Sequence, residues 1–357
     1  DLLQQIIPAE RNSSKNPTLP ILSTILLKAS KNTLEIISTN LEVGFEARLW
    51  AKIDSAGEVA VPARPLLQLL TSISGEELTI ESSDHNLSLI SKNSSTNLKC
   101  FPPDDFPVLP KIKKENFFRI PAATLARALK NTLVATALSS VKPELASIFI
   151  FSQNKIPLTF AATDSFRLSE YRTDLVTAPA SFLLPQKSAQ EALRIFEESE
   201  EEIEVSHNKN QILFISKNSS FTSRLTEGNF PNYKNIIPQS FLTQVVMERA
   251  HLLGAIKAAS VFSSRLSDVI LKVSNSENIL EVSAKDSDTG EHSSIAPAKI
   301  AGEDIEISFN YRYLLDALGV VTEPKVFLGF NGPGKAVLMK GQNESSYLEL
   351  VMPMRTV

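Results

Sequence analysis

The chain is 357 residues long, carries 36 basic and 40 acidic side chains for a net charge of −4, and is 43% hydrophobic. That length allows two or three domains with cores of their own. No apolar run approaches the ~20 residues that cross a bilayer, and the single cysteine, Cys100, excludes an internal disulfide framework and a multi-thiolate metal site. A soluble, cytoplasmic protein is expected, and bulk charge does not point to nucleic acid, although a basic lane inside an acidic surface would suffice for it.

Leu2-Leu3 and Ile6-Ile7 have helical spacing with no N-cap ahead of Asp1, so further chain is expected before them. A polar loop from Arg11 to Asn16 leads into Pro17-Thr18-Leu19-Pro20, where two prolines enforce an extended backbone. β-Branched and apolar runs bounded by turn residues predict strands over 21–29, 33–39 and 43–53. Pro62 is expected to open a helix carrying Leu66, Leu67, Leu69 and Leu70, followed by strands over 78–82, 86–91 and 97–101.

The next stretch copies this order. A helix is predicted over 122–136, with Leu125, Leu129 and Leu133 four residues apart, then strands over 142–151, 158–162 and 166–171. Pro185 opens a helix holding Ala189, Ala192, Leu193 and Phe196, and the acidic run 197–202 ends it as a solvated turn, since it lacks the Gly and Asn ladder of a calcium loop. A third series begins with a helix over 248–262, presenting Leu252, Leu253, Ile256, Ala259 and Ser260. Strands over 269–274 and 279–284 follow, then a helix capped by Asn310 and carrying Leu314, Leu315 and Leu318.

The copying has a fixed period. Ile90-Ser91-Lys92-Asn93-Ser94-Ser95 recurs letter for letter at Ile215-Ser216-Lys217-Asn218-Ser219-Ser220, 125 residues on, with a degraded third copy at 339–346. Pro62, Pro185 and Asn310 are separated by 123 and 125 residues, and Leu70, Leu193 and Leu318 each follow eight residues later. Asn40, Asp164 and Asp286 step by 124 and 122. The period is domain-sized, so the chain reads as three α+β units, each with two helices covering one face of an antiparallel sheet. Repeated units that share sheet edges can close into a ring with no edge unpaired.

Catalytic patterns are missing. His85, His207, His251 and His292 have no metal-ligand spacing, no Gly-x-Ser-x-Gly elbow occurs, and Asp104-Asp105 sits between prolines as a solvated loop. Gly329-Phe330-Asn331-Gly332-Pro333-Gly334-Lys335 satisfies a phosphate-loop pattern, but Ala336 replaces the Mg²⁺-binding hydroxyl and a strand follows, so a hairpin turn is expected. No metal or cofactor is expected. A hydrolase built on Asp164 and Arg167 would need a deep pocket and a strongly shifted carboxylate, neither visible in sequence.

Ala162-Thr163-Asp164-Ser165-Phe166-Arg167-Leu168 resembles the Ala-Thr-Asp-Gly-His-Arg-Leu element of the bacterial DNA polymerase III β subunit family, the sliding clamps. Phe230-Pro231-Asn232-Tyr233 with Ile236-Ile237-Pro238, the terminal Val351-Met352-Pro353-Met354-Arg355, Pro17-Thr18-Leu19-Pro20-Ile21-Leu22 and Asp105-Phe106-Pro107 add further elements in the family's order. The resemblance implies three DNA-clamp domains, at 1–116, 117–239 and 240–357, forming half of a six-domain ring. It further implies a homodimer around double-stranded DNA, with helices lining the hole, which acts as a non-enzymatic processivity factor. The implied partners are the polymerase III catalytic subunit, a clamp loader, other polymerases and repair proteins.

On this resemblance the DNA-facing cations are Arg64, Arg127, Lys130, Lys187, Arg194, Arg249, Lys257 and Arg312 on helices, with Arg11 and Lys15 in the first loop. Contacts would go to phosphates without base readout, which permits sliding. Asn16 stands where related clamps can carry an arginine. Partner peptides would dock between the second and third domains. The implied pocket comprises Leu145, Thr163, Ser165, Phe166, Arg167, Leu168, Pro231, Asn235, Ile236, Leu266, Asn310, Tyr313, Val351, Met352, Pro353, Met354 and Arg355. Flexible Met side chains suit a floor that repacks around different anchors, and Arg167 or Arg355 would orient polar atoms of the peptide. Ser165-Phe166 replaces the usual Gly-His and reshapes the rim. A clamp-fold scaffold that docks peptides without encircling DNA is the alternative.

Overall fold

The computed structural model describes residues 1–15, 18–73, 77–83, 85–109, 117–153 and 155–354, so the expectations at Asn16, Pro17 and Arg355 fall outside the described residues. Its elements form three series. The first is α1 (Leu2–Arg11), β1 (Thr24–Ser30), β2 (Thr33–Thr39), β3 (Val43–Trp50), β4 (Gly57–Pro62), α2 (Ala63–Ser72), β5 (Thr79–Ser83), β6 (Asn86–Ile90) and β7 (Ser95–Lys99). The second is β8 (Phe117–Pro121), α3 (Ala122–Leu133), β9 (Ser147–Gln153), β10 (Ile156–Thr163), β11 (Arg167–Arg172), β12 (Ala180–Pro185), α4 (Gln186–Phe196), β13 (Glu202–His207), β14 (Gln211–Ile215) and β15 (Ser219–Arg224). The third is β16 (Thr243–Glu248), α5 (Arg249–Ser260), β17 (Asp268–Ser274), β18 (Ile279–Asp286), β19 (Gly290–Pro297), β20 (Lys299–Ala301), β21 (Ile305–Asn310), α6 (Tyr311–Val320), β22 (Lys325–Phe330), β23 (Val337–Gly341) and β24 (Tyr347–Val351).

Two compact units result, one of residues 1–125 with 190–225 and the other of 126–189 with 226–357. The first unit holds an eight-stranded sheet, β4-β1-β2-β3-β15-β14-β13-β8, and a three-stranded sheet, β5-β6-β7. The second holds a nine-stranded sheet, β12-β9-β10-β11-β24-β23-β22-β16-β20, and a four-stranded sheet, β19-β18-β17-β21. The sequence repeats and the compact units differ because sheets run through the repeat junctions. β3 of the first series pairs antiparallel with β15 of the second, Phe45 opposite Phe221. β11 of the second pairs in the same way with β24 of the third, Leu168 opposite Leu350. Each pairing satisfies a strand edge that would otherwise be exposed.

The repeat markers are turns with a shared geometry. Asn40 Oδ1 accepts the amides of Glu42 and Val43 at 3.0 and 2.9 Å. Asp164 Oδ1 accepts those of Phe166 and Arg167 at 2.9 and 3.0 Å, and Asp286 Oδ1 those of Asp288 and Thr289 at 2.9 and 3.1 Å. Each side chain closes an Asx turn, which Asn and Asp make better than Ser or Thr. The repeated hexapeptide is likewise a hairpin turn, in which the amide of Ser91 bonds the carbonyl of Ser94 at 2.8 Å and that of Ser216 the carbonyl of Ser219 at 2.9 Å.

Several expected boundaries move for local reasons. Residues 20–23 form a 3₁₀ turn rather than strand, locked by Ser23 Oγ donating to Pro20 O and Thr24 Oγ1 to Ile21 O, both at 2.6 Å. The strand expected over 43–53 stops at Trp50, because its partner β2 begins at Thr33, opposite Trp50. Residues 142–146 form a turn on the carbonyl of Lys142, delaying β9 to Ser147. The helix expected to reach residue 136 ends at Leu133, after which Ala135 and Thr136 make tighter i→i+3 bonds. Pro62 and Pro185 close β4 and β12, and the helices start one residue later. Asn310 caps α6 as expected, its side chain accepting from the amide of Arg312 at 2.9 Å. The phosphate-loop look-alike is the turn between β22 and β23, with Gly332 at φ +109.

In the first unit α1 and α2 bury Ile6 and Leu66 with Ile25, Ile36, Phe45 and Val61 of the sheet. In the second, one face of the nine-stranded sheet packs Phe151, Leu168, Leu338 and Leu350 under Tyr233, with Phe230 stacked on Phe149 at 5.0 Å between ring centres. Full burial of each large side chain stabilises by about 1.5–3 kcal/mol. Among the described residues no helix is long and apolar enough to cross a membrane, and no cluster of His, Cys, Asp and Glu could hold a metal ion.

Candidate functional site

The site grows from the β10–β11 hairpin. Thr163 Oγ1 donates to Arg167 O at 2.6 Å and accepts from the amide of Ser165 at 3.1 Å, which together with Asp164 fixes the turn. Ser165 sits at φ +80, a left-handed conformation that glycine adopts at lower cost. The turn pushes Phe166 outward, where it is 61% exposed, and leaves its carbonyl to accept the amide of Met352 at 2.8 Å. Arg167 stands opposite Val351 in the β11–β24 ladder. The hairpin and the terminal Met-Pro-Met segment are therefore joined.

Arg167 is the electrostatic centre. Its Nε donates to Asp164 Oδ2 at 3.0 Å and its Nη1 to Asp316 Oδ2 at 2.6 Å. The guanidinium lies over the Tyr313 ring, 4.4 Å from ring centre to Cζ. Burial works against its charge, but the Asp316 bond and the fields of Asp164, Glu349 and Asp316 outweigh that and raise its pKa. Arg167 is thus held by two carboxylates and a ring, with its side chain only 11% exposed.

Other expected pocket residues divide by exposure. Ile236, in the 3₁₀ turn Lys234–Ile236, is 58% exposed, Leu266 is 67% exposed and Met352 is 42% exposed. Pro231 and Asn235 are also exposed, and Pro353 and Met354 are half-buried, the amide of Met354 bonding Ser308 O at 2.8 Å. Leu266 lies next to the start of α6, since Ser267 O accepts the amide of Tyr311 at 2.9 Å and Asp268 pairs with Asn310. Leu145, Leu168 and Val351 are buried, and the Leu168 side chain belongs to the layer beneath Tyr233.

The expected DNA-facing cations lie on the helices as read, at Arg64 on α2, Arg127 and Lys130 on α3, Lys187 and Arg194 on α4, Arg249 and Lys257 on α5, and Arg312 on α6. Arg64, Lys130, Lys187, Lys257 and Lys15 are exposed. Others are tied down. Arg127 pairs with Glu344 at 3.0 Å, Arg11 and Arg194 both reach Glu191, and Arg249 Nη1 donates to Leu318 O at 2.9 Å. Arg312 Cζ lies 5.8 Å from the centre of the Tyr311 ring.

The arrangement sets exposed apolar side chains and a clamped arginine at the hairpin, and exposed cations on the helices. Comparison with known proteins decides the family. Models of the DNA polymerase III beta subunit match the chain in order, the N-terminal domain at residues 1–110, the central domain at 119–232 and the C-terminal domain at 234–355. The chain belongs to the DNA polymerase III beta subunit family.

The beta sliding clamp of Staphylococcus aureus is 26% identical over 356 residues, covering 96% of this chain and 94% of the relative. The crystal structure of the sliding clamp from Pseudomonas aeruginosa aligns with a TM-score of 0.92 at 26% identity, covering 99% of this chain and 97% of that one. That from Bacillus subtilis gives the same TM-score and identity, covering 100% and 97%. As a sliding clamp, this chain is a DNA polymerase processivity factor and not an enzyme. Asp164 accordingly serves the turn and Arg167, with both oxygens engaged.

Three carboxylates around this hairpin were not among the expected residues. Asp316 was detectable, since it follows Tyr313 by three positions and so shares its helix face. Glu349 is a lone carboxylate in an apolar strand, fully buried, accepting from Tyr347 Oη at 2.8 Å and from Ser169 Oγ. Burial pushes its carboxyl up to about 7, against the two hydroxyls and Arg167. Glu170, equally buried, accepts from Tyr233 Oη and from Arg172 Nε at 2.6 Å, which fastens the segment carrying Ile236 to β11. Burial, then Glu170, raise the Tyr233 pKa.

Proposed function

We propose that the chain pairs head to tail with a second copy to close a six-domain ring around duplex DNA, with clamp domains at 1–116, 117–239 and 240–357. The observation that carries this reading is the match of all three beta-subunit domains, in order, over nearly the whole chain. The cations Arg11, Lys15, Arg64, Arg127, Lys130, Lys187, Arg194, Arg249, Lys257 and Arg312 contact phosphates without reading bases, so the ring slides. The ring works in the cytoplasm and opens under a separate loader.

The surface around Phe166, Ile236, Leu266 and Met352 takes short apolar motifs of the replicative polymerase, the clamp loader, other polymerases and repair proteins. Exposed large apolar side chains beside a clamped arginine support this. Leu145, Thr163, Ser165, Arg167, Leu168, Pro231, Asn235, Asn310, Tyr313, Val351, Pro353, Met354 and Arg355 complete the site.

A scaffold that docks peptides without encircling DNA is the second reading. It is favoured by one observation, the pairing of Arg11, Arg127 and Arg194 with the protein's own carboxylates. Retention on closed circular against linearised DNA after loading separates the two. The ring predicts retention on the circle alone, and equal loss from both would leave the scaffold.

A further inference from the structure

The chain contains an internal comparison for the docking site. In the first unit Thr39 Oγ1 donates to Val43 O at 2.6 Å and accepts from the amide of Leu41 at 3.0 Å, as Thr163 does in the β10–β11 hairpin. The carbonyl of Glu42 accepts the amide of Arg224 at 2.8 Å, as that of Phe166 accepts Met352. Yet Val43 occupies the place of Arg167, 124 residues earlier, and Glu191 on α4 the place of Asp316, 125 residues earlier. Glu191 turns to Arg11 and Arg194 instead. The hairpin and its seam therefore form without a guanidinium, and the cluster of Arg167, Asp164 and Asp316 is not a requirement of the repeat.

The charge balance of that cluster is unusual for a ligand-binding arginine. One guanidinium meets two carboxylates, a net charge of −1 without counting Glu349. The two differ in role. Asp164 is committed, Oδ1 to two amides and Oδ2 to Arg167 Nε, with 14% of its side chain exposed. Asp316 uses one oxygen on Arg167 Nη1 and is 46% exposed. Arg312, one turn earlier on α6, lies against Tyr311. A peptide reaching this rim thus meets an arginine whose charge is already neutralised and an aspartate that is partly open. The remaining guanidinium N–H groups can still donate to neutral acceptors.

We propose that Asp316 is a specificity-determining residue of the docking site, holding Arg167 against Tyr313 for neutral acceptors of the docked segment and rejecting segments that place a carboxylate there. The proposal rests on the docking reading above. Repulsion by an exposed carboxylate a few ångströms away changes affinity by roughly three- to tenfold, and discrimination of this kind is set by what is repelled as much as by what is bound.

The test uses fluorescein-labelled synthetic peptides with a Leu and Phe anchor, made in pairs with Gln or Glu at each flanking position, and anisotropy titrations of the full chain. The unaltered protein should prefer Gln by roughly five- to tenfold at one position, and the preference should shrink as salt rises. In Asp316→Asn it should fall to about twofold or less, while Asp316→Glu restores it. Melting temperature tracks folding of each variant. If both affinities fall together in Asp316→Asn with their ratio unchanged, Asp316 is merely structural and the proposal is overturned. A salt-independent ratio in the unaltered protein overturns it without any variant. If peptides of neither kind bind while the chain is folded, it is the docking reading itself that fails.

Discussion

The Arg167 guanidinium lies over the Tyr313 ring, with Cζ 4.4 Å from the ring centre, while Asp316 holds it from one turn further along the same helix. A cation over an aromatic face contributes about 0.5–2 kcal/mol, depending on how dry the site is. Tyr313→Ala should therefore weaken peptide docking about three- to tenfold and destabilise the fold by about 1 kcal/mol. Tyr313→Phe, which keeps the ring, should bind like the unaltered protein. Calorimetric titration checks both, and equal affinities for all three would remove Tyr313 from the site.

Asn40 and Asp164 make the same turn in different company. Asn40→Ala deprives two amides of their acceptor and should cost about 1 kcal/mol, the usual size for such a side-chain bond. Asp164→Ala loses the same two bonds and one of the two carboxylates on the half-buried Arg167. About 2–3 kcal/mol is expected for it, since hydrogen bonds to charged groups are the stronger ones. Urea unfolding followed by circular dichroism gives both values. Equal costs would mean that the ion pair adds nothing.

The architecture was legible because its signals are local and repeated. β2 occupies residues 33–39 as expected, bounded by Asn32 at φ +63 and by the Asx turn of Asn40. β4 and β12 were not among the expected strands: they end directly on the prolines that precede their helices, and pairing with β1 and β9 rather than a bounded apolar run sets their length. The residues of the proposed docking site came from motifs, while the electrostatics around Arg167 were not legible there. That Arg167 meets a second carboxylate depends on Asp316, 149 residues away; the spacing to Tyr313 places Asp316 on one helix face but does not record its contact with Arg167. Exposure was equally hidden, since Leu168 and Ile236 look alike in sequence and only pairing in the ladder buries the first.

Glu349 should make stability depend on pH. Its folded carboxyl is raised from 4.5 to about 7, chiefly by burial, so the fold holds a proton that the unfolded chain releases. The sign follows from linkage. Its contribution is fully present below about 4.5 and is lost as pH rises through about 7. Glu349→Gln has no proton to lose, so the fall in urea midpoint between pH 5 and 8 should be smaller in the variant. Superimposable curves for the two proteins would show that Glu349 does not titrate in this range.

In the proposed docking surface Met352 and Met354 are the adaptable part, one exposed and the other half-buried. Truncation removes flexible apolar area at the edge of the β11–β24 seam while leaving the bond from the Met352 amide to Phe166 O in place. The double variant Met352→Ala, Met354→Ala should abolish polymerase stimulation with the oligomer unchanged in mass. Stimulation at the unaltered level would take both side chains out of the site.

The cations on the helices should not count equally. Lys130, Lys187 and Lys257 are exposed and carry no ion pair among the described residues, so each can meet a phosphate without breaking a bond. Arg127 must first leave Glu344, and its cation over the Tyr171 ring, 5.9 Å away, is lost as well. Each phosphate contact removed lowers the salt slope of binding by roughly one, and a ring of two copies doubles that. Lysine-to-alanine variants should therefore reduce the salt slope of equilibrium binding to short linear duplex, where no topological link holds the ring, by about two each, independently of DNA sequence, and Arg127→Ala by less. A slope untouched by all three lysine changes would mean that these helices do not face the duplex.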